Sequence, residues 1–580
     1  MAETPKKEES KVEGVKRASR HLRGTIAETL AADSTHFHES DEVLLKFHGT
    51  YQQDDRDVRQ DRRKQGLEEA YQFMVRVAIP SGVVTADQYV QLDELADRYA
   101  NHSLRVTTRQ GIQYHGVLKK GLKKTIAGIN QSLLTTLAAC GDVERNVMGC
   151  PAPLGDSAHT TVQRLTKEIA RELRPATKAY HEIWLNGEKH LSTETESETE
   201  PFYKDTYLPR KFKTGVALAT DNCIDVYSYD LALVAIFEGD NVVGYNVLVG
   251  GGMGMTHGKA DTFARLAEPL AYVEAEHVIE TARTVAAIYR DHGNRADRRH
   301  SRIKYLIAEW GMEKFREEFR QRVSFTPQPF RSIPTPPVHD HLGLHPQADG
   351  KWFLGVFVES GRIIDRPECQ MKTALRSIVE KYRTGVHFTA SQNVLLTGLN
   401  RSDVDAVQRV LKDHGVRLVE ELSLARRFSM ACPALPTCGL AMADSERLMP
   451  AVVDRFEAEL TSLGLRDEPI SLRMTGCPNG CARPYTADIA FVGRRPDVYH
   501  IYVGGGIPGD RVVDLYAADV ATQDMVTVMR PLLSSWASNR RNSESLSDYY
   551  QRLLNRTESR QLITGKEEPT QRLIQLGIAS

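Results

Sequence analysis

The sequence predicts an α+β and α/β protein, internally duplicated about a pseudo-two-fold axis, with a small α+β unit and a larger α/β unit in each half. Three observations predict it. A chain of 580 residues is too long for one core and suits two or three domains. The stretch from Phe73 (FMVRVAIPSGVV, then LRVTTRQGIQYHGVLKKGLKKTIAGIN) can be laid over that from Phe353 (FLGVFVESGRII, then GVHFTASQNVLLTGLNRSDVDAVQRVL). Finally, LPRKFKTGVALAT running to VLVGGGMG is repeated, in the same order, by SLRMTGCPNGC running to IYVGGGIPG.

The elements follow along the chain. Residues 1–65 are polar and charged and read as a mobile arm, with docking of a partner as the functional alternative. Their start, MAETPKKEESKVEGVKRAS, has no apolar signal core and is rich in glutamate, so a cytoplasmic setting is expected. Residues 66–145 and 346–420 form the two small units. Each reads as an alternating strand, a Ser-Gly turn, an amphipathic helix, a second strand and a second helix. Residues 146–345 and 421–580 form the larger units, and residues 192–200 (STETESETE) read as a solvated acidic loop. A net charge of −1, from 75 basic and 76 acidic residues, provides no global field for nucleic acid or an anionic membrane. No apolar run approaches the roughly 20 residues of a spanning helix.

Differences between the copies point to a site. Where the first has Arg76, Arg109, Gln113 and His115, the second has Gly355, Ser391, Leu395 and Thr397. Strand alternation places Arg105, Thr107, Arg109, Gln113 and His115 on one face, and Lys211 and Lys213 likewise point the same way. A solvent-facing strand carrying arginines for solubility would show the same pattern. The second half contributes thiols instead, so one composite site between the halves is expected.

Four of the eight cysteines stand as Cys432-x5-Cys438 and Cys477-x3-Cys481. Such spacings suit a tetrahedral zinc or a cubane iron–sulfur cluster. They are wider than the paired C-x2-C of zinc knuckles. Pro433, Pro436, Pro478 and Gly480 hold turns that turn backbone N–H groups toward sulfur, which favours iron–sulfur with zinc as the rival. Cys223 and Cys369 read as inert buried thiols, and Cys150 as a residue that lines a cavity or merely packs.

The segments ACPALPTCGLA and TGCPNGCARP resemble the signature of the sirohaem sulfite and nitrite reductase family. The resemblance extends through FHGTYQQDDRDVR, LRVTTRQGIQYHG, ERNV, YLPRKFK and LVGGGMG, over most of residues 42–540. It implies ferredoxin-like half-units and two larger α/β domains that bind sirohaem. It also implies a 4Fe-4S cluster on Cys432, Cys438, Cys477 and Cys481, with Cys481 shared with the sirohaem iron. Arg105, Thr107, Arg109, Gln113, His115, Arg210, Gln392 and Asn479 would meet the carboxylate-fringed macrocycle, and Arg76, Arg145, Lys211 and Lys213 would hold sulfite. Some relatives place a Tyr and a Cys like Tyr51 and Cys140 near the substrate, occasionally cross-linked. The implied activity is six-electron reduction of sulfite to sulfide. Lys213 favours sulfite over nitrite, because nitrite-reducing relatives usually carry a neutral residue there. VGGGMG and VGGGIPG lack dinucleotide-binding spacing and read as close backbone approach to a bulky ligand, so electrons must come from outside. The donor expected is a diflavin (FAD/FMN) NADPH reductase, with ferredoxin the alternative suggested by THGKADTFARLAEPL. A zinc scaffold or nucleic-acid-binding protein is disfavoured by the near-zero charge and the lack of a basic stripe.

Overall fold

The computed structural model describes residues 8–177, 183–185, 188–191 and 200–564. In the first small unit the strands Thr50–Asp54, Tyr71–Val77, Ile112–Val117 and Leu104–Val106 lie side by side in that order. Period-two burial explains the central one, where Phe73, Val75 and Val77 are fully buried. Helix Ala86–Tyr99 starts on a capping box made by Thr85 and Gln88 and turns Tyr89, Leu92, Leu95 and Ala96 inward. It packs against helix Lys119–Gln131 at Gly128, where an added Cβ would lie 2.6 Å from Leu95.

The second small unit repeats this with Gly343–Pro346, Trp352–Val356, Val394–Leu399 and Gly385–Phe388. Each unit then finishes the other's sheet. Arg362–Ile363 pairs with Leu104–Val106, and Val83–Val84 pairs with Gly385–Phe388. Gln110 and Gln392, both in the left-handed region at φ 56° and 69°, mark equivalent turns. The Gln110 amide donates to Gly149 O at 2.8 Å, and the Gln392 carbonyl accepts from Ala431 N at 3.1 Å.

The larger units share one topology. Met148–Gly149, Thr214–Leu218, Leu231–Glu238, Asn241–Val249 and Glu268–Glu274 form one sheet; Met430–Ala431, Leu472–Thr475, Ile489–Arg495, Val498–Val503 and Asp514–Ala521 form the other. In both, the first three strands run parallel and the last two pairings are antiparallel. Leu231 opposes Thr214 as Ile489 opposes Leu472, and Met148 opposes Gly215 as Met430 opposes Arg473. This register makes Cys150 the counterpart of Cys432, Cys223 of Cys481, and Asp225 of Arg483.

Two expectations are corrected. The polar N-terminal segment is not a free arm. Its helix Lys11–Arg17 buries Glu13 and Lys16, and Lys16 meets Glu13 at 2.6 Å while Arg295 meets the same carboxylate at 2.6 Å. Local composition is polar because those charges are answered by residues far along the chain. The run from Arg105 to His115 is not one strand: Leu104–Val106 and Ile112–Val117 pair antiparallel across a turn at Gln110. In the two VGGG segments the middle glycine lies against protein backbone: a Cβ on Gly251 would lie 2.4 Å from Tyr227 O, and one on Gly505 2.3 Å from the Thr486 carbonyl carbon. Of the acidic loop, residues 192–199 lie outside the described residues. Among the described residues no helix is long and apolar enough to cross a membrane.

Candidate active site

Cys432 follows strand Met430–Ala431, and Cys477 follows its parallel neighbour Leu472–Thr475, so both thiols leave the same carboxyl edge of the sheet. That edge is where open α/β sheets place ligands. The Cys438 loop folds back as Met442 N and Ala443 N donate to Gly476 O at 2.8 and 3.1 Å. Gly476 is required there, since a Cβ would lie 2.4 Å from Ala443 O, and its N–H donates to Cys432 Sγ at 3.4 Å. Asn479 Nδ2 donates to Cys477 Sγ at 3.5 Å. Each of the four sulfurs lies within electrostatic reach of the other three. Burial and this mutual repulsion push Cys477 up to about 12 and raise Cys432 and Cys438 as well, so a bound cation is what would keep them thiolates. No three of these sulfurs fall within 4.8 Å of one another. A tetrahedral zinc with bonds of about 2.3 Å would draw all four to about 3.8 Å. The wider spread fits a cubane cluster.

The first half faces this quartet with cations. Arg145 N donates to Phe212 O at 3.0 Å, which lays ERNV beside LPRKFK. Lys211 is surrounded by Arg145, Arg302 and Arg210, and the Cys481 sulfur lies within its electrostatic reach. Burial first and those cations second lower its ammonium to about 7. Lys213 is driven well below the ordinary lysine range by burial, then by Lys211, Arg109 and Arg302. The carboxylate that opposes this, Asp230, is already held by Arg302 at 2.9 and 2.6 Å. Among the described residues neither ammonium has a hydrogen bond or ion pair. Arg109 donates one Nη to Asn146 O and lies 5.2 Å from the Tyr229 ring, while its Nε and other Nη are buried without a partner. Arg473 Nε and His115 Nε2 are likewise buried and unpartnered. The arginine N–H groups are costly unless anions meet them, and a macrocycle fringed with carboxylates supplies anions of that kind. The residues fit sirohaem.

Other expected residues are placed differently. Arg76 donates to Cys140 Sγ at 2.7 Å and lies 5.9 Å from the Tyr51 ring, beside Arg145, which donates to Gly141 O at 3.2 and 3.1 Å. Burial, then Cys140, push the Tyr51 phenol up to about 12. Arg210 sits beside Asp142 and Arg298. Arg105 is committed to Glu446 at 2.6 Å and to Ala431 O at 2.8 Å. Thr107 Oγ1 accepts from Arg109 N and Gly111 N, and Gln392 spends its amide on Val106 O and Ser360 O. Gln113 Nε2 faces Met74 Sδ at 3.5 Å, and His115 Nδ1 meets Thr437 Oγ1 at 3.1 Å in the Cys438 loop.

Several residues at the site carry no local sequence signal. Glu446 neutralises both Arg105 and Arg362; Arg56 donates to Cys438 O at 3.0 Å; Lys304 donates to Gly254 O at 2.8 Å. Asp225 pairs with Arg473 at 2.9 Å and with Arg483. Only convergence in space identifies them.

Residues 166–326 and 425–553 match the nitrite and sulphite reductase 4Fe-4S domain, and residues 65–132 and 345–414 match the nitrite/sulfite reductase ferredoxin-like half domain. The chain is 43% identical over 553 residues to a sulfite reductase (NADPH) hemoprotein beta-component of Staphylococcus saprophyticus, covering 95% of this chain and 97% of that protein. It is also 43% identical over 561 residues to a sulfite reductase (ferredoxin) of Synechococcus elongatus, covering 94% and 89%. The structure of the Mycobacterium tuberculosis NirA protein superposes with a TM-score of 0.74 over 93% of this chain and 95% of that one at 24% identity, a likeness of fold.

Proposed function

The chain belongs to the nitrite and sulphite reductase family, and from that premise we propose that it is the haemoprotein of an assimilatory, cytoplasmic sulfite reductase fed by a diflavin NADPH reductase. It is an oxidoreductase acting on sulfite, with sirohaem and a 4Fe-4S cluster as cofactors. One observation carries the reading of its site. Uncompensated Lys211 and Lys213 of one half stand with Lys211 in reach of Cys481 of the other.

When bound, sirohaem and the cluster, which Cys481 would help to hold, would pass on electrons from the external donor and supply the chemistry that breaks sulfur–oxygen bonds. The chain's own side chains do the rest. Arg76, Arg145, Lys211 and Lys213 form a cationic wall that would bind the sulfite dianion through charge-assisted hydrogen bonds. Lys211, lowered to about 7, is poised to give a proton from Nζ near neutral pH and regain it from solvent. Arg109, with its spare Nε and Nη, and Arg473 would hold macrocycle carboxylates. His115 and Asn479 stand beside the cluster loops, and Arg105, Thr107, Gln113, Arg210 and Gln392 would act by holding that lining in place. Cys432, Cys438, Cys477 and Cys481 would carry the cluster. We assign residues 66–145 and 346–420 to the half-units and 146–345 and 421–580 to the cofactor domains, with the N-terminal segment on the donor's side.

Nitrite reduction is the second reading, and the Lys213 ammonium beside Lys211 speaks for the doubly charged substrate. Analysis of iron, acid-labile sulfide and tetrapyrrole on the purified chain tests the cofactor sites. Reconstitution with a purified diflavin reductase and, separately, with reduced ferredoxin tests the donor; turnover with ferredoxin alone would overturn the NADPH assignment.

A further inference from the structure

Cys223, expected from sequence to be an inert thiol, has company. Cys150 Sγ lies 3.3 Å from Asp221 Oδ2 and 3.5 Å from His341 Nε2, and His341 Nε2 lies 3.0 Å from Asp221 Oδ2. With Cys223, one ligand atom from each residue falls in a group in which all lie within 4.8 Å of one another, and all four residues are buried. We propose that Cys150, Asp221, Cys223 and His341 form a second, mononuclear metal site that holds a zinc ion apart from the redox cofactors.

The chemistry suits zinc. Two thiolates, an imidazole and a carboxylate are its ordinary ligands, and four protein ligands with no open position describe a structural rather than a catalytic site. Binding transfers the two thiol protons to solvent and leaves four metal–ligand bonds. Outer contacts that orient the ligands are in place. His339 N donates to Asp221 Oδ1 at 3.1 Å, and Gln163 Nε2 donates to Cys150 O at 3.2 Å.

Pseudo-symmetry gives independent support. Strand register makes Cys150 the counterpart of Cys432 and Cys223 the counterpart of Cys481. The proposed site therefore occupies the place in the first half that the cysteine quartet occupies in the second. Ala219 stands where Cys477 would be, and Asp221 and His341 complete a smaller set. The site also ties distant segments together. His341 precedes strand Gly343–Pro346 of the second half-unit, and Asn222, between two of the ligands, donates to Pro508 O at 2.9 Å.

The test is metal analysis of the full-length holoenzyme, with zinc counted beside iron and sirohaem, and zinc-edge X-ray absorption on the same sample. About one zinc per chain is expected, with two sulfurs at about 2.3 Å and two lighter ligands at about 2.0–2.2 Å. Cys223→Ser and His341→Gln should bring zinc at least about tenfold lower while the sirohaem absorbance remains. Zinc at background in the wild type, zinc unchanged in both variants, or a Cys150–Cys223 disulfide found by peptide mass would overturn the proposal. If neither variant accumulates, the wild-type absorption spectrum decides alone, since a coordination shell without sulfur refutes it.

Discussion

Replacing Lys213 by asparagine removes a side chain that takes up positive charge when an anion arrives, and keeps a polar one of lesser reach. The ammonium is uncompensated among the described residues, because Asp230 is already bidentate to Arg302. Its worth therefore shows only when an anion arrives. A hydrogen bond to a charged group in such surroundings contributes up to about 3 kcal/mol. For the sulfite dianion, that amounts to about 150-fold in kcat/KM. Coulomb attraction scales with the charge of the anion, so nitrite, with half the charge, should lose about 1.5 kcal/mol, or about 12-fold. Steady-state kinetics with both substrates and one artificial electron donor give the two ratios. Equal losses for sulfite and nitrite would refute the assignment of Lys213 to substrate charge, and so would a loss confined to nitrite.

Lys211 sets a pH dependence that can be read with nitrite, which stays a monoanion through the neutral range. Its lowered ammonium is present below about 7 and lost above it, so kcat/KM should fall as pH rises through that value; Lys211→Arg should flatten the limb, and an unchanged profile would refute the role. Glu446 is depressed from 4.5 to about 2, with burial opposing and Arg362 and Arg105 overcoming it. A depressed carboxylate contributes stability above its unfolded value, here about 3 kcal/mol, which is lost as pH falls from 4.5 toward 2. Glu446→Gln should lower stability by that order at pH 7 in thermal melts of the holoenzyme, with the gap to wild type closing over that acid window. Cys438→Ser should lose iron, acid-labile sulfide and the cluster's visible absorbance together, and retention of all three would exclude the thiol as a ligand.

The duplication was legible because each copy repeats whole periodic elements around a Ser-Gly turn. The exchange of edge strands was not, because Val83–Val84 and Arg362–Ile363 are two residues long and carry no periodicity. The cysteine quartet is proposed from its spacing, and Lys211 and Lys213, which precede the strand Thr214–Leu218, from the resemblance of LPRKFK rather than from strand alternation. Glu446 and Asp225 are common residues whose importance comes from partners hundreds of positions away. Distance along the chain also hid the company of Cys223, since its partners stand at 150 and 341. The N-terminal segment misled for the same reason: the burial of Lys16 depends on Asp142 and Leu208 O.

The pairing of Asp225 with Arg483 says most about how two copies became one site. These residues are counterparts, both left-handed at φ 57° and 50°, and they face each other. In a symmetric dimer of identical chains, one position meeting itself across the axis would bring like charges together, at a cost that burial magnifies. An aspartate meeting an arginine there is possible only when the two copies differ in sequence, as two halves of one chain can. Arg483 then uses its remaining donors on Thr108 O at 2.8 Å and Ala390 O at 3.1 Å, which are themselves counterparts in the two half-units. Thr108 Oγ1 in turn donates to Cys481 O at 2.9 Å. The loop bearing Cys481, the thiol proposed to join cluster and macrocycle, is thus gripped by both half-units at once, and the asymmetry that the proposed cationic wall and cysteine quartet require is anchored where these two counterparts meet.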